Sequence, residues 1–220
     1  MKKAIIYFDG ACLPRNPGGI ATYGFVIKDN GVIVYKEGGV VMEHGTNNIA
    51  EYSALIKALE HAYTLGYDEV FVKGDSQLVI NQIKGLYTAK SPSIIPLYRK
   101  AIGLLQKFRK YTVQWIKRDQ NTEADLLSTV SFIKHMEDRN LKRAIDINPR
   151  QVTMVNENTF QIRQYIVRIN PPECNCPYFR IINNAPLLKK DRIIVRCKHI
   201  LYVEHIYKKE VLSETALSKA

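Results

Sequence analysis

The sequence predicts an α/β fold, a five-stranded mixed sheet flanked by helices, followed by a small α+β module. Three observations lead there. Strand-like and helix-like stretches follow one another in the order βββαβααβα up to about residue 137, a pattern that builds layers of helix on sheet. The charged run Asp138–Arg150 then closes on Asn148-Pro149 and reads as a linker over 138–150. Beyond it, Cys174, Cys176 and Cys197 crowd into one short stretch while Cys12 stands alone.

Residues 3–9 form an apolar strand, and residues 20–28 and 31–41 a hairpin turned at Asp29-Asn30-Gly31, because β-branched and aromatic residues flank a strong turn signal. Ile49, Tyr52, Leu55, Ile56, Leu59 and Tyr63 recur at helical spacing through Asn47–Leu65, with Gly66 as the stop. Glu69–Gly74 is a short strand, Ser76–Lys84 a helix ending at Gly85, Ile94–Phe108 another helix and Thr112–Ile116 the fifth strand. Asn121 starts a last helix that ends near Asp138. The first three strands are expected antiparallel, and the later ones join in parallel through helical crossovers. The second module, 151–220, offers strands at 151–156 and 159–169, an irregular stretch over 178–192, a short strand near 193–196 and a helix from His199 to Lys209. So small a core gains most from a structural metal.

Composition narrows the class. With 46% hydrophobic and 24% charged residues the chain is neither disordered nor collagenous. Apolar runs such as Ala4–Phe8 fall far short of the roughly 18 residues of a membrane helix. Lys2 and Lys3 before that run imitate the start of a signal peptide, but Asp9 interrupts it and no small-residue cleavage site follows, so a cytoplasmic protein is expected. Lys and Arg total 32 against 21 acids, a net charge of +11. The surplus is present on both sides of residue 150, and such a field favours polyanions, nucleic acid first among them.

Four acids stand at telling places: Asp9 in an apolar strand, Glu51 on the first helix, Asp75 at the end of the fourth strand and Asp125 in the first turn of the last helix. Asp125 alone reads first as a favourable charge at a helix start. Asp9 is harder to place without a partner or a cation, since burying an ionised carboxylate is costly. If the first and fourth strands are neighbours, Asp9 and Asp75 meet at one end of the sheet. Clustered carboxylates call for a hard divalent cation, Mg²⁺ or Mn²⁺.

Asp9-Gly10-Ala11, Asn16-Pro17-Gly18-Gly19, Thr46-Asn47-Asn48-Ile49-Ala50-Glu51, Gly74-Asp75-Ser76-Gln77 and Asn121-Thr122-Glu123-Ala124-Asp125 together resemble the motifs of type 1 ribonuclease H. The resemblance runs in order through residues 1–137 and implies a ribonuclease H-like fold. It also implies hydrolysis of the RNA strand of an RNA–DNA hybrid, leaving 5′-phosphate and 3′-hydroxyl ends. Carried over residue by residue, it makes Asp9 a bridge between two ions, Glu51 and Asp75 ligands of one, and Asp125 a ligand of the other. Two ions about 4 Å apart suit an in-line displacement. Asn16, Asn47, Asn48 and Gln77 match positions that face the minor groove and the 2′-hydroxyls, the group that marks RNA. Thr46 matches a contact to a DNA phosphate. Turn and cap chemistry explains these amides equally well, and Asn47 in particular suits a helix cap. Gly10 suits a backbone passing close to substrate. Three departures point to the compact archaeal and bacterial branch: no histidine in Lys117–Ala124, no lysine-rich protrusion between the middle helices, and no hybrid-binding domain ahead of Asp9. Arg118 precedes the last motif as it does in that branch.

Cys174-Asn-Cys176 and Cys197-Lys-His199 supply four ligands of the types that close a structural zinc site. A disulfide fits an intracellular chain poorly and leaves His199 unexplained. The pattern resembles a SWIM-type zinc finger, which implies a role in binding duplex RNA or DNA, or a protein partner. Arg180, Lys189, Lys190, Arg192, Arg196 and Lys198 would form a nucleic-acid surface or a solvated exterior. His61, His135 and His205 read as surface or packing residues. The leading expectation is therefore a metal-dependent endoribonuclease with an added zinc module. The alternatives are a transposase-like nuclease of the same fold and a non-catalytic hybrid-binding protein.

Overall fold

A computed structural model of the protein describes residues 1–185, 188 and 193–209. Two compact units divide the chain, Met1–Phe132 and Ile133–Ala220.

In the first unit, β1 (Lys3–Leu13), β2 (Gly19–Asp29), β3 (Val32–Gly45), β4 (Glu69–Gly74) and β5 (Lys110–Trp115) form one sheet in the order β3-β2-β1-β4-β5. β1 pairs antiparallel with β2 and parallel with β4, so the expected mixed sheet is present and its first and fourth strands are neighbours. Asn30 (φ 49°) and Gly31 (φ 82°) make the two-residue turn between β2 and β3, the left-handed pair that matches strand twist. Ala4, Ile6 and Phe8 alternate into the core with Phe25 and Ile27 of β2, against Tyr52, Leu55 and Leu59 of α1 (Asn47–Thr64). α2 (Gln77–Ile83) is tied to α1 by Tyr52, whose hydroxyl donates to Gln82 Oε1 at 2.7 Å. α3 (Ile95–Leu105) closes the same layer through Ala101 and Leu105.

Strand alternation decides where the charged end of β1 faces. Phe8 and Gly10 share the face covered by α1, and Asp9 takes the other. A Cβ on Gly10 would lie 2.2 Å from the backbone nitrogen of Glu51, so glycine is what lets α1 cross β1 this closely. This is a different reason for Gly10 than approach of substrate. On the Asp9 face, Asp9, Gly24 and Gly38 stand in register across three strands. A Cβ on Gly24 would meet the Ala124 carbonyl at 2.3 Å, and one on Gly38 would meet the Ser131 hydroxyl at 2.6 Å. The glycines form the trough in which the start of α4 (Thr122–Ala144) lies.

α4 runs six residues past its expected end and takes in half of the segment read as a linker. Charge density suggested solvent, but Asn140 and Ala144 are buried, and the Asn140 amide donates to Tyr178 Oη (3.0 Å) and to the Arg196 carbonyl (2.9 Å). In the second unit β6 (Val152–Asn156), β7 (Thr159–Ile162), β8 (Tyr165–Ile169) and β9 (Pro172–Cys174) form an antiparallel sheet in chain order. The single strand expected over 159–169 is a hairpin. Arg163, at φ 53°, makes the turn, and the buried positions change parity there, from Phe160 and Ile162 to Val167. α5 (Pro177–Asn183) occupies the start of the stretch expected to be irregular. The expected strand at 193–196 is absent: the Asn183 amide takes the place of a strand partner, accepting from Val195 N (2.7 Å) and donating to Val195 O (3.0 Å). α6 (Lys198–Tyr202) passes into a π-turn, Val203–Tyr207.

Candidate functional site

Beyond the last β1–β4 pair, Phe8 with Gly74, the two chains continue into Asp9 and Asp75. Asp9 and Glu51 are each only 5% exposed, whereas Asp75 and Asp125 are half-buried. The Ser128 hydroxyl on α4 donates to Asp9 Oδ2 and lies 2.9 Å from the Asp125 carbonyl. Asn121, itself buried, donates from one amide nitrogen to the Phe8 carbonyl (2.8 Å) and to Asp75 Oδ1 (2.7 Å). That single side chain ties the start of α4 to the ends of β1 and β4. Trp115 of β5 donates its indole N–H to the Asp75 carbonyl at 3.0 Å.

The electrostatics show how crowded this end of the sheet is. Burial pushes the Asp9 carboxyl up to about 7; the Ser128 hydrogen bond opposes the rise, and the charges of Asp75 and Asp125 add to it. Burial, then Asp9 and Asp75, hold the Glu51 carboxyl well above its ordinary range, with the Gly10 N–H opposing. Arg118 forms an ion pair with Asp125 and is the cation felt by Asp9 and Glu51 alike. Glu51 Oε2 is buried with no hydrogen-bond partner among the described residues. An orphaned carboxylate oxygen inside a cluster of acids fits a hard cation with oxygen ligands.

The five amides and hydroxyls around the cluster divide. Thr46 caps α1, its Oγ1 accepting from Ile49 N at 3.3 Å, the role the sequence suggested for Asn47. Asn16 Oδ1 accepts from Asn47 N at 3.0 Å and so pins the 14–18 loop to the start of α1. Asn48 and Gln77 are exposed, and neither side chain makes a hydrogen bond among the described residues. Sequence reasoning missed Ser128 and gave Asn121 only a capping role. The spacing of Ser128 three residues after Asp125 puts both on one helix face and was the available signal.

In the second unit the ligand atoms of Cys174, Cys176, Cys197 and His199 all lie within 4.8 Å of one another, and all four residues are buried. No disulfide joins the cysteines. Cys174 Sγ and Cys197 Sγ are 3.7 and 3.9 Å from His199 Nδ1, and Phe179 N donates to Cys176 Sγ. Hydrogen bonding from Cys174 and then Cys197 pulls the Cys176 thiol down. Three sulfurs and one imidazole nitrogen, all on buried residues, suit tetrahedral Zn²⁺. Of the basic residues expected to face nucleic acid, Arg196 is instead spent inside the unit. Its guanidinium holds Glu137 at 2.8 Å and Glu204 at 3.0 Å. Arg180 is exposed and Lys198 half-exposed, while Lys189, Lys190 and Arg192 lie outside the described residues.

The sheet order, the crossing helices and the acids at the strand ends define a ribonuclease H-like α/β fold, with a type 1 ribonuclease H-like domain over the first part of the chain. Residues 7–131 match the family described as reverse transcriptase-like, and the chain belongs to that family. The bifunctional protein Rv2228c of Mycobacterium tuberculosis is 37% identical over 128 residues, 57% of this chain and 34% of that protein. The solved structure of its N-terminal RNase H domain covers 63% of this chain and 99% of its own at 32% identity, TM-score 0.59. Ribonuclease HI of Halobacterium salinarum is 39% identical over 122 residues, 56% of this chain and 60% of that protein. LC11-RNase H1, solved in complex with an RNA/DNA hybrid, covers 60% of this chain and 99% of its own at 32% identity, TM-score 0.56. The chain therefore spans about a third of the length of Rv2228c and less than two thirds of the halobacterial protein. Among the described residues no helix is long and apolar enough to cross a membrane.

Proposed function

We propose that the chain is a metal-dependent endoribonuclease that hydrolyses the RNA strand of RNA–DNA hybrids. The observation that carries this is the convergence of Asp9, Glu51, Asp75 and Asp125, with Glu51 Oε2 left buried and unpartnered among the described residues. Asp9 would bridge two Mg²⁺ or Mn²⁺ ions, Glu51 and Asp75 would complete one site, and Asp125 would hold the other. When bound there, the ions would supply activation of the attacking water and charge stabilisation at the departing 3′ oxygen. The chain's own groups orient the ligands: Ser128 holds Asp9, Asn121 holds Asp75, and Arg118 both positions Asp125 and keeps a cation beside a site that must accept a phosphate. Asn48 and Gln77 have amides available for 2′-hydroxyls and base edges. Asn16, Thr46 and Asn47 shape the same rim, with Thr46 offered to a DNA-strand phosphate while it caps α1. Likeness to LC11-RNase H1, solved with a hybrid, supports the substrate class.

The second unit acts in this reading as a SWIM-like zinc module, Cys174, Cys176, Cys197 and His199 holding one structural Zn²⁺, and adds nucleic-acid or protein binding. Cleavage assays with labelled hybrid, duplex RNA and duplex DNA test the activity. Hybrid is expected to be cut to 5′-phosphate and 3′-hydroxyl products in Mg²⁺ or Mn²⁺. Intact hybrid under both ions overturns the assignment.

A further inference from the structure

We propose that the second unit binds single-stranded nucleic acid in a cleft beside its Cys/His cluster, with phosphates on Arg143, Arg163 and Lys198 and bases against Tyr165 and Tyr178. The cleft has a volume of about 500 Å³ and lies wholly within that unit, between the end of α4, the β7–β8 turn and the starts of α5 and α6. That volume is in the range of small-ligand sites, which suits a nucleotide unit.

Its charge is not spent internally. Arg196 and Arg168 of this unit are neutralised by glutamates, but Arg143, Arg163 and Lys198 make no ion pair among the described residues, against one lining acid, Asp146. Arg163 is held toward the cleft by its turn: at φ 53° it donates from Nε to Gln151 Oε1 at 2.8 Å and keeps its other N–H groups for an anion. The aromatic rings are also set in place. Tyr165 packs on His199 with ring centroids 4.8 Å apart, and Tyr178 Oη accepts the Asn140 amide. Cations interleaved with fixed aromatic rings are what a flexible, unpaired strand needs, since every base has a stacking face and every nucleotide a charge. The proposal rests on the reading of the cluster as a zinc site, because Cys176, Cys197 and His199 form part of the cleft wall.

The test is binding of fluorescein-labelled oligothymidylate, which the carboxylate site has no RNA to cut, to the full chain by anisotropy over a range of salt. Zinc content is measured on the same samples. The double variant Arg143→Gln/Arg163→Gln is expected to bind about tenfold more weakly. Its slope of log affinity against log salt should be shallower by about 1.4, at roughly 0.7 for each phosphate that is no longer neutralised. Lys134→Gln/Lys208→Gln removes the same charge from exposed positions of the same unit, outside the cleft, and should lose less than about threefold. An equal loss in both variants, or none, overturns the cleft. Photocrosslinking with an iodouracil-substituted strand reads the wild-type protein directly: adducts on Tyr165 or Tyr178 support the cleft, and adducts confined to residues 1–132 overturn it. Competition by polyglutamate as effective as by oligothymidylate would also overturn it, in favour of an acidic protein partner. Zinc-free protein whose binding still depends on the arginine pair would sink the zinc reading and leave the cleft standing.

Discussion

Asp9 carries most of the tension of the candidate site, since its carboxyl is buried among acids and held by one hydroxyl. In the chelator-treated protein its pKa, pushed up to about 7 in the folded state, lies above the ordinary value of 3.8 that it takes when unfolded. The unfolded chain therefore releases that proton first, and between about pH 4 and pH 7 this group lowers stability as pH rises. Asp9→Asn removes the cost. The variant is expected to melt higher than wild type at pH 7 without divalent ions, to lose that advantage near pH 4, and to show no hybrid cleavage. Thermal melts across pH and a cleavage assay check both halves, and wild-type-like turnover by Asp9→Asn or Asp75→Asn would sink the catalytic assignment. Asn121 gives a second expectation. Asn121→Ala leaves the Phe8 carbonyl without its donor and frees Asp75, so it should cost about 2 kcal/mol in urea denaturation and weaken Mg²⁺ affinity, measured by titration.

Elements meet at this site only because glycine permits it. Gly10→Ala would drive a methyl group into the backbone of α1, and Gly24→Ala into the start of α4, clashes that no rotamer change relieves. Each is expected to lower stability by about 3 kcal/mol and to reduce turnover with it, since Glu51 rides on α1 and Asp125 on α4. Denaturation midpoints and kcat on a short hybrid measure the two effects, and a Gly10→Ala variant of unchanged stability would refute the close crossing. The same scale explains where periodicity reading stopped. Glu69–Gly74 and the start of α1 were legible because apolar spacing sets them locally. The end of α4 was not, because Asn140 and Ala144 are held by residues far along the chain.

Across the whole molecule, the two compact units predict separable behaviour. The purified chain is expected to carry about one equivalent of zinc, and chelation should unfold the second unit while the first keeps its own melting transition, because metal binding and folding are coupled in so small a core. Metal analysis and two-transition calorimetry check this, and absence of zinc refutes it. A chain ending after Ala144, where α4 stops, retains all four carboxylates and is expected to cleave short hybrids. Loss of activity there would mean that the second unit is required for the site itself.

Residue type and local periodicity alone determined the order of elements in the first unit and marked the four acids and the Cys/His set as candidates, since chemistry and short-range spacing are written along the chain. The tertiary structure alone decided that Ser128 reaches Asp9 across 119 positions, that Gly10 faces a helix and that Arg196 is neutralised by Glu137 and Glu204. It also decided that the stretch from Phe160 to Ile169 folds back at Arg163, and that Arg143, Arg163 and Lys198 line one cleft. These depend on which distant groups satisfy a buried charge, amide or backbone, and that is settled only when the layers pack.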